Sequence, residues 1–341
     1  MVAAAKQFLQ DAMLERFRQR AAVYDRENRF FQEDFDELVA SGYLKTPIPT
    51  ELGGAGMTLA GVCREQRRLA NYAPATAIAV NMHLYWMGVA ADLYRGGDKS
   101  CQWMLEDGAR GEIFAAGHSE SGNDMPVLYS TARADKLDGG YKFHGRKNFG
   151  SLTPVWTRLG LHGMDNSDPA APKVVHAFMP RSTEKYRIVE TWDTLGMRAT
   201  RSDDTVLEGA FVPDRYVARV VPPDFAGADL FVLGIFAWAE PTFASVYLGL
   251  AERAFDLADD LKNVQQGSVG VVALRVPGRD VLLHFPVGGL RFLACSRATQ
   301  QVPRGVDFLH SEVDRVGALI LRTRGRGPHV FAGRRPFDEA Q

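Results

Sequence analysis

Apolar side chains in the first hundred residues recur at the spacing of helices that bury one face. Leu9, Met13 and Phe17 are four residues apart, with charged residues between them. Gly42 stands where a helix C-cap belongs, and Thr58 stands where it can cap the start of a helix. Further helices are predicted over 35–41, 59–72, 75–93 and 101–106.

Near residue 112 the pattern changes to short β-rich runs separated by Gly, Asp, Asn and Pro. Asp138-Gly139-Gly140 is typical of a hairpin turn. Helical periodicity resumes after Ala228, and Glu240-Pro241 is predicted to begin a helix because proline is favoured in a first turn. The runs predicted as strands are 113–116, 141–144, 174–179 and 205–211.

The charge is unevenly distributed along the 341 residues, which is enough chain for two or three domains. The whole carries 40 basic and 41 acidic residues, so no basic excess indicates nucleic acid as a partner. Residues 263–341 contain 11 Arg, no Lys and 6 acidic residues, a net charge of +5. The first 262 residues are therefore acidic, and the tail has a different composition.

Several common functional signatures are missing from the sequence. The three cysteines are far apart and predict neither a disulfide framework nor a zinc site, and the histidines form no HExxH pair. Gly53 to Gly56 lacks the phosphate-loop pattern, and no GxSxG motif surrounds Ser119. The N-terminus lacks a signal-peptide core, and the longest uncharged apolar run, Leu230 to Ala239, is half a membrane span. We expect a cytoplasmic protein without a membrane span.

Two predicted strand ends carry small hydroxyl side chains beside glycines. They are residues 116–124, with Ser119, and 145–151, with Ser151 and the aromatic ring of Phe149. A planar heteroaromatic cofactor requires a ring to pack on and hydrogen-bonding groups for its edge. These segments are therefore candidates for holding such a cofactor.

Motifs in a fixed order carry a family resemblance over residues 20–262. Leu38 to Gly56 (LVASGYLKTPIPTELGGAG) comes first, and the two hydroxyl-bearing segments follow. Trp192 to Pro213 (WDTLGMRATRSDDTVLEGAFVP) and Ala244 to Ala258 complete the order. Together they resemble the acyl-CoA dehydrogenase family of flavoproteins.

The resemblance implies an α+β fold of three domains. An N-terminal helical bundle would occupy 1–112, a middle β-barrel domain 113–225 and an incomplete C-terminal helical domain 226–262. It further implies FAD as the cofactor, an acyl-CoA or related small-molecule substrate, an electron-transfer partner and a homotetramer.

Individual positions can be carried over by the same resemblance. Ser119 falls where a hydroxyl meets the flavin pyrimidine edge, and Ser151 falls where a hydroxyl meets N5. Phe149 replaces the usual tryptophan beside the ring, and His118 holds a backbone-contact position near the flavin. Asn123 stands where a serine touches the pantetheine arm, in a loop two residues shorter than is usual.

Residues 263–341 do not continue the family pattern. Glycine and proline interrupt any helical period, and arginine without lysine resembles an out-of-frame reading of a GC-rich gene. We interpret this segment as a divergent tail that is frameshifted or otherwise replaced, so Glu312 and Glu339 are not assigned as the catalytic base. Glu240, one residue from the position of the base in some members, is the remaining candidate.

Three functions are compatible with these features. The leading hypothesis is α,β-dehydrogenation of an acyl-CoA thioester in fatty acid metabolism, with hydride transfer to N5 of FAD. A flavin-dependent monooxygenase on the same fold would suit the altered pantetheine loop. The third is a non-catalytic remnant or interaction subunit.

Overall fold

The computed structural model describes residues 7–264 and five later strand segments, with side chains described for residues 7–259. The later segments are 271–276, 279–284, 291–295, 306–308 and 318–323. The chain divides into two compact units, Met1–Arg253 and Ala254–Gln341. We describe each unit separately.

The first unit begins with helices at the predicted places. Gly42 ends the second helix with a left-handed φ of 81°, and the Thr58 hydroxyl accepts a hydrogen bond from the Gly61 N–H at 3.3 Å. Both predicted caps are thereby confirmed. The helices are α1 (Asp11–Glu27), α2 (Gln32–Ser41), α3 (Leu59–Tyr72), α4 (Pro74–Arg95) and α5 (Gln102–Arg110).

Helix α4 forms the centre of the helical part because apolar residues occupy all of its faces. Its buried His83 uses both ring nitrogens. Nδ1 accepts a hydrogen bond from the Phe114 N–H at 3.1 Å, and Nε2 donates to the Leu44 carbonyl at 3.0 Å. Burial lowers the pKa of His83 to about 4, so the ring is neutral at pH 7. The imidazole thus connects α4 to the first strand.

The middle of the chain is an eight-stranded mixed sheet. Its order is β6-β7-β3-β2-β4-β5-β8, and β1 pairs with β4 in parallel. The β2–β3 hairpin turns at Gly139, where φ is 75°, as predicted. Together with the helices, this sheet confirms the α+β class. The strands are β1 (Phe114–Gly117), β2 (Arg133–Leu137), β3 (Gly140–Gly150), β4 (Arg158–Asp165), β5 (Lys173–Pro180), β6 (Tyr186–Val189), β7 (Asp203–Pro213) and β8 (Val217–Val221).

The predicted helix start at Glu240-Pro241 is wrong. One helix, α6 (Leu230–Val264), runs through Pro241. Its first turns bury Phe231 and Trp238, and the Trp238 ring fills the space left by Gly88, where a Cβ would come within 2.2 Å. Burial of Phe231 and Trp238 before Pro241, and of Val246 after it, outweighs the helix hydrogen bond that proline cannot make.

Helix α6 is long and apolar enough to cross a membrane by length and composition. The stretch that meets this test is Leu230–Asp259, and 39% of its apolar window is buried inside the protein. Core helices of proteins without membrane spans can meet the same test. The absence of a span and the cytoplasmic location therefore stay predictions.

The second unit contains a five-stranded antiparallel sheet in the order β11-β10-β9-β13-β12. After α6 ends at Val264, the described parts of the tail are strands. Glu312 and Glu339 lie outside the described residues, and the frameshift hypothesis and the domain boundaries stay predictions. The strands are β9 (Val271–Val276), β10 (Arg279–His284), β11 (Arg291–Cys295), β12 (Val306–Phe308) and β13 (Ala318–Thr323).

Candidate functional site

Three chain segments, residues 117–124, 145–153 and 191–203, meet at one end of β3, and we call their meeting point the strand-end site. The Asn148 N–H donates to the Ser119 carbonyl at 2.9 Å, which joins the first segment to the second. The Leu152 N–H donates to the Thr200 carbonyl at 3.1 Å, which joins the second to the third. The two hydroxyl-bearing strand ends identified in the sequence are therefore adjacent in the fold.

Phe149 presents its ring to solvent although strand alternation predicts the opposite. Lys147, two residues earlier, is buried, so a regular strand would also turn residue 149 inward. The pairing of β3 with β7 is irregular between Lys147 and Gly150, and Phe149 adopts a left-handed φ of 60°. The irregularity leaves Phe149 62% exposed, 6.0 Å from the Trp192 ring centroid in an edge-to-face arrangement.

Strained backbone is concentrated around the same place. Phe149, Leu152, Met197 and Arg201 all have left-handed φ values, between 44° and 67°. Such values are costly for residues other than glycine, and a cluster of them is typical of functional sites. The strain indicates that the surrounding contacts fix this loop geometry.

Hydroxyl groups form a connected row on the site. Ser151 Oγ lies 2.8 Å from Ser202 Oγ, which lies 2.7 Å from Thr200 Oγ1. Thr200 Oγ1 is also 2.9 Å from the Met197 carbonyl oxygen. Ser151 is half-buried and Ser119 is exposed, whereas Thr200 and Ser202 are buried. The row therefore leads from the surface of the site into the protein.

A buried ion pair between Lys147 and Glu120 joins β3 to the loop after β1. Lys147 Nζ donates to the Glu120 carboxylate at 2.5 Å, and both side chains are 1% exposed. The carboxylate also accepts hydrogen bonds from the Ser130 hydroxyl and from the N–H groups of Thr131 and Ala132. Lys147 keeps the pKa of Glu120 low despite burial, because its charge lies beside the carboxylate. Glu120 thus organises the loop that follows Ser119.

The side chain of His118 packs under the sheet among aromatic rings. Its ring centroid lies 5.4 Å from that of Trp86, 5.0 Å from that of His162 and 6.4 Å from that of His176. Burial lowers the pKa of His118 well below its ordinary value, so the ring is neutral at pH 7. The backbone contact with a flavin that the resemblance implies for His118 stays a prediction.

Asn123 is engaged within its own loop. Its side-chain Nδ2 donates to Glu120 and to the Tyr129 carbonyl, both at 2.9 Å, and its Oδ1 accepts the Met125 N–H at 3.0 Å. These bonds fix the loop. A role for Asn123 in substrate binding stays a proposal.

The carboxylates nearest the hydroxyl row are paired with arginines. Asp203 accepts from Arg201 at 3.1 Å, and Asp204 accepts from Arg146 at 2.7 Å. Glu240 is exposed on α6 beside an open apolar groove of about 390 Å³ lined by Ile78, Phe243, Ala244 and Tyr247. Within the described residues, no group of three His, Cys, Asp or Glu could hold a metal ion.

Several residues of the strand-end site were not predicted from the sequence. Lys147 and Glu120 were missed because a buried charge contradicts the usual rule that lysine is exposed. Thr200, Ser202 and Trp192 lie in the stretch WDTLGMRATRS, where two hydroxyls separated by one residue were the available signal. Their place in the strand-end site follows only from the tertiary contact between residues 149–153 and residues 197–202.

The strand-end site suits a flat, hydrogen-bonding ligand. Phe149 and Trp192 offer aromatic surface, and Ser119 and Ser151 offer hydroxyls next to it. The hydroxyls can donate or accept, so they match a heteroaromatic edge without adding charge. These properties fit an isoalloxazine ring.

Comparison with known proteins finds a family similar to this chain. Residues 1–112 match the family model for the acyl-CoA dehydrogenase N-terminal domain. Over these residues the chain is similar to that family. The resemblance noted in the sequence is thereby confirmed.

Curated relatives of this chain fall into more than one functional class. A putative acyl-CoA dehydrogenase, YdbM of Bacillus subtilis, is 26% identical over 72% of this chain and 62% of its own length. L-evernosamine nitrososynthase of a Micromonospora species is 27% identical over 72% and 58%. Dibenzothiophene monooxygenase of Rhodococcus erythropolis is 28% identical over 74% and 61%. The chain thus spans about three fifths of the length of these relatives.

A solved structure shows the same fold. KijD3, in complex with FMN and dTDP-3-amino-2,3,6-trideoxy-4-keto-3-methyl-D-glucose, superposes with a TM-score of 0.67 and is 27% identical. The match covers 78% of this chain and 66% of KijD3.

Proposed function

We propose that this chain is a flavin-dependent oxidoreductase of the monooxygenase type, acting on a small organic molecule. The nitrososynthase and dibenzothiophene monooxygenase relatives support the monooxygenase class. Acyl-CoA dehydrogenation, our first hypothesis from the sequence, is less well supported by these relatives.

The cofactor in this proposal is a flavin, either FMN, as in the KijD3 complex, or FAD, as the family resemblance implies. Ser119 and Ser151 would bond the edge of the ring, and Phe149 would pack beside it. When bound, a reduced flavin would supply two electrons and two protons to O₂, so that one oxygen atom enters the substrate, the other leaves as water and the flavin is left oxidised. The chain itself would orient the ring through these contacts.

The observation that carries the proposal is the charge state of the site. Removing the α-proton of a thioester requires a desolvated, poised carboxylate. Within the described residues, the carboxylates beside the hydroxyl row are paired with Arg201 and Arg146, and Glu240 is exposed. Neutral hydroxyls and aromatic rings remain, and these suit oxygenation better than proton abstraction.

Dehydrogenation remains the second candidate because YdbM and the N-terminal family model support it. Glu240 would then be the candidate base, reaching its substrate from the groove along α6.

The test starts with the purified full chain and added FMN or FAD. We expect saturable flavin binding, and we expect photoreduced flavin on the protein to consume O₂ and to transfer one labelled oxygen atom to an acceptor from an amine and thioether panel. Acyl-CoA should not bleach the oxidised flavin without oxygen. Bleaching by acyl-CoA would favour the dehydrogenase instead, and absence of flavin binding would favour the non-catalytic remnant.

Variants connect the result to the strand-end site. Ser151→Ala and Phe149→Ala should each weaken flavin binding, because each removes a proposed contact. Ser167→Ala, in the exposed loop between β4 and β5, is the matched control and should bind as the wild type does. Unchanged binding in Ser151→Ala would mean that the flavin is held elsewhere.

A further inference from the structure

The row Ser151–Ser202–Thr200 ends at a group that can only accept. The Met197 carbonyl oxygen lies 2.9 Å from Thr200 Oγ1, and the two remaining spacings in the row are 2.7 and 2.8 Å. Each hydroxyl has a single proton and can both donate and accept. The direction of every hydrogen bond in the row is therefore set by the direction of its neighbours.

Two proton arrangements satisfy the buried hydroxyls. In the inward arrangement, Ser151 donates to Ser202, Ser202 to Thr200 and Thr200 to Met197, so Ser151 offers the site lone pairs alone. In the outward arrangement, Thr200 donates to Ser202 and Ser202 to Ser151, so the Ser151 proton points at the site and Thr200 no longer donates to Met197. Thr200 and Ser202 are 2% and 3% exposed, so water cannot readily replace either partner.

The inward arrangement matters for a flavin because two-electron reduction adds a proton at N5 of the ring. That edge atom changes from a hydrogen-bond acceptor to an N–H donor. A site that holds both forms needs a group able to accept as well as to donate, without leaving its own proton unpaired. An isolated serine cannot do so in a dry site, whereas a serine with a buried acceptor behind it can.

We propose that Ser202 and Thr200 are positioning residues that allow Ser151 to accept a hydrogen bond from reduced flavin. The inference rests on the proposed function, since it requires flavin at Ser151. Loss of either hydroxyl forces the Ser151 proton toward the ligand, which suits the oxidised ring and opposes the reduced one. The row therefore sets the relative affinity of the site for the two redox forms.

The experiment measures dissociation constants of the full chain for oxidised FMN and for photoreduced FMN under anaerobic conditions, and repeats both with FAD. We expect Ser202→Ala and Thr200→Val to raise the dissociation constant of the reduced form about 5- to 10-fold, which is the effect of one hydrogen bond. Binding of the oxidised form should stay within about twofold of the wild type, by the same scale.

Matched variants separate this effect from a general disturbance. The buried Thr153 hydroxyl donates to the Gly150 carbonyl at 2.6 Å in the same loop and is not part of the row, so Thr153→Val should leave the ratio of the two constants unchanged. Thr200→Ser and Ser202→Thr keep the hydroxyl and should restore the wild-type ratio. These two variants, which keep a hydroxyl, can still be measured if Ser202→Ala or Thr200→Val does not fold.

One result overturns the inference alone. It is a ratio of the two dissociation constants that stays unchanged in Ser202→Ala and Thr200→Val, whether both redox forms bind as in the wild type or both are weakened equally. A wild-type chain that binds neither form would overturn the proposed function together with the inference. The ratio thus distinguishes failure of the hydroxyl row from failure of the flavin site.

Discussion

Phe149 combines an unfavourable backbone conformation with an exposed ring, and neither feature benefits the fold. Its φ of 60° is about 1 kcal/mol more costly for phenylalanine than for glycine. We therefore expect Phe149→Gly to raise the free energy of unfolding by about 0.5–1 kcal/mol, measured by chemical denaturation. The same change should weaken flavin binding because the ring is lost.

Phe149→Ala is the matched control for this trade-off. It removes the ring but keeps the Cβ, so it should lose flavin affinity without the gain in stability. If Phe149→Gly were less stable than Phe149→Ala, the left-handed conformation would not be a source of strain.

His176 makes the fold sensitive to acid. Within the described residues, neither of its ring nitrogens has a hydrogen-bond partner, and burial lowers its pKa to about 4. The unfolded chain therefore binds more protons between pH 6.5 and 4, so stability is lost as the pH falls through this window. We expect His176→Leu to reduce this loss by about 3 kcal/mol and to raise stability at pH 7 by about 1 kcal/mol.

A neighbouring residue supplies the comparison for the acid effect. Phe178 lies on the same face of β5 and is buried but cannot titrate. Phe178→Leu should lower stability by the same amount at every pH. An unchanged pH dependence in His176→Leu would show that other groups cause the acid sensitivity.

Strand β3 and the loop after β1 are fastened together by the Lys147–Glu120 pair. Breaking a buried pair leaves an uncompensated charge, so Lys147→Met and Glu120→Gln should each cost about 3 kcal/mol of unfolding free energy. The double variant should cost clearly less than the sum, because it leaves neither charge alone. Denaturation of the four proteins gives the coupling energy.

An exposed ion pair provides a reference for this double-mutant cycle. Lys136 and Asp214 are 2.7 Å apart and about half exposed, so their coupling should stay below about 1 kcal/mol. Equal coupling energies in the two cycles would contradict a special role for the buried pair.

The first unit should fold without the tail. Within the described residues, every member of its main hydrophobic core lies between Leu9 and Val246. We expect a chain that ends after Val264 to unfold cooperatively. The midpoint of its unfolding transition should be nearly the same as the midpoint of the first unit's transition in the full chain. Circular dichroism and chemical denaturation would show this.

A shorter truncation tests the contribution of α6. Ending the chain after Asp229 removes Phe231, Ile235 and Trp238 from the core and should abolish cooperative unfolding. A chain of 264 residues that does not fold would show that the tail supports the first unit.

Across the whole molecule, the sequence was most informative where periodicity and burial agree. Helices α1 to α5 were predicted because each carries an apolar stripe or an apolar run with a cap. Strand β4 was missed because nearly all of its residues are buried, so it shows no alternation. A helix start was wrongly predicted at Glu240-Pro241, because the packing of Trp238 outweighs the local preference for proline in a first helical turn.

The strand-end site was only partly predictable for the same reason. Ser119, Ser151 and Phe149 could be selected from their residue types. The irregularity that exposes Phe149 depends on the pairing of β3 with β7, and the hydroxyl row depends on Thr200 and Ser202, fifty residues beyond Ser151. Contacts between distant segments of this kind leave no local pattern.

The His83 ring, which is hydrogen-bonded at both nitrogens, gives the chain an intrinsic spectroscopic reporter. Because Nε2–H donates to Leu44 and Nδ1 accepts from Phe114, the ring proton is shielded from solvent while α4 and β1 remain docked. Its exchange with deuterium would require the packing between α4 and the segment that carries Leu44 to open. A single downfield proton resonance would therefore follow the opening of the helical core around His83 in real time.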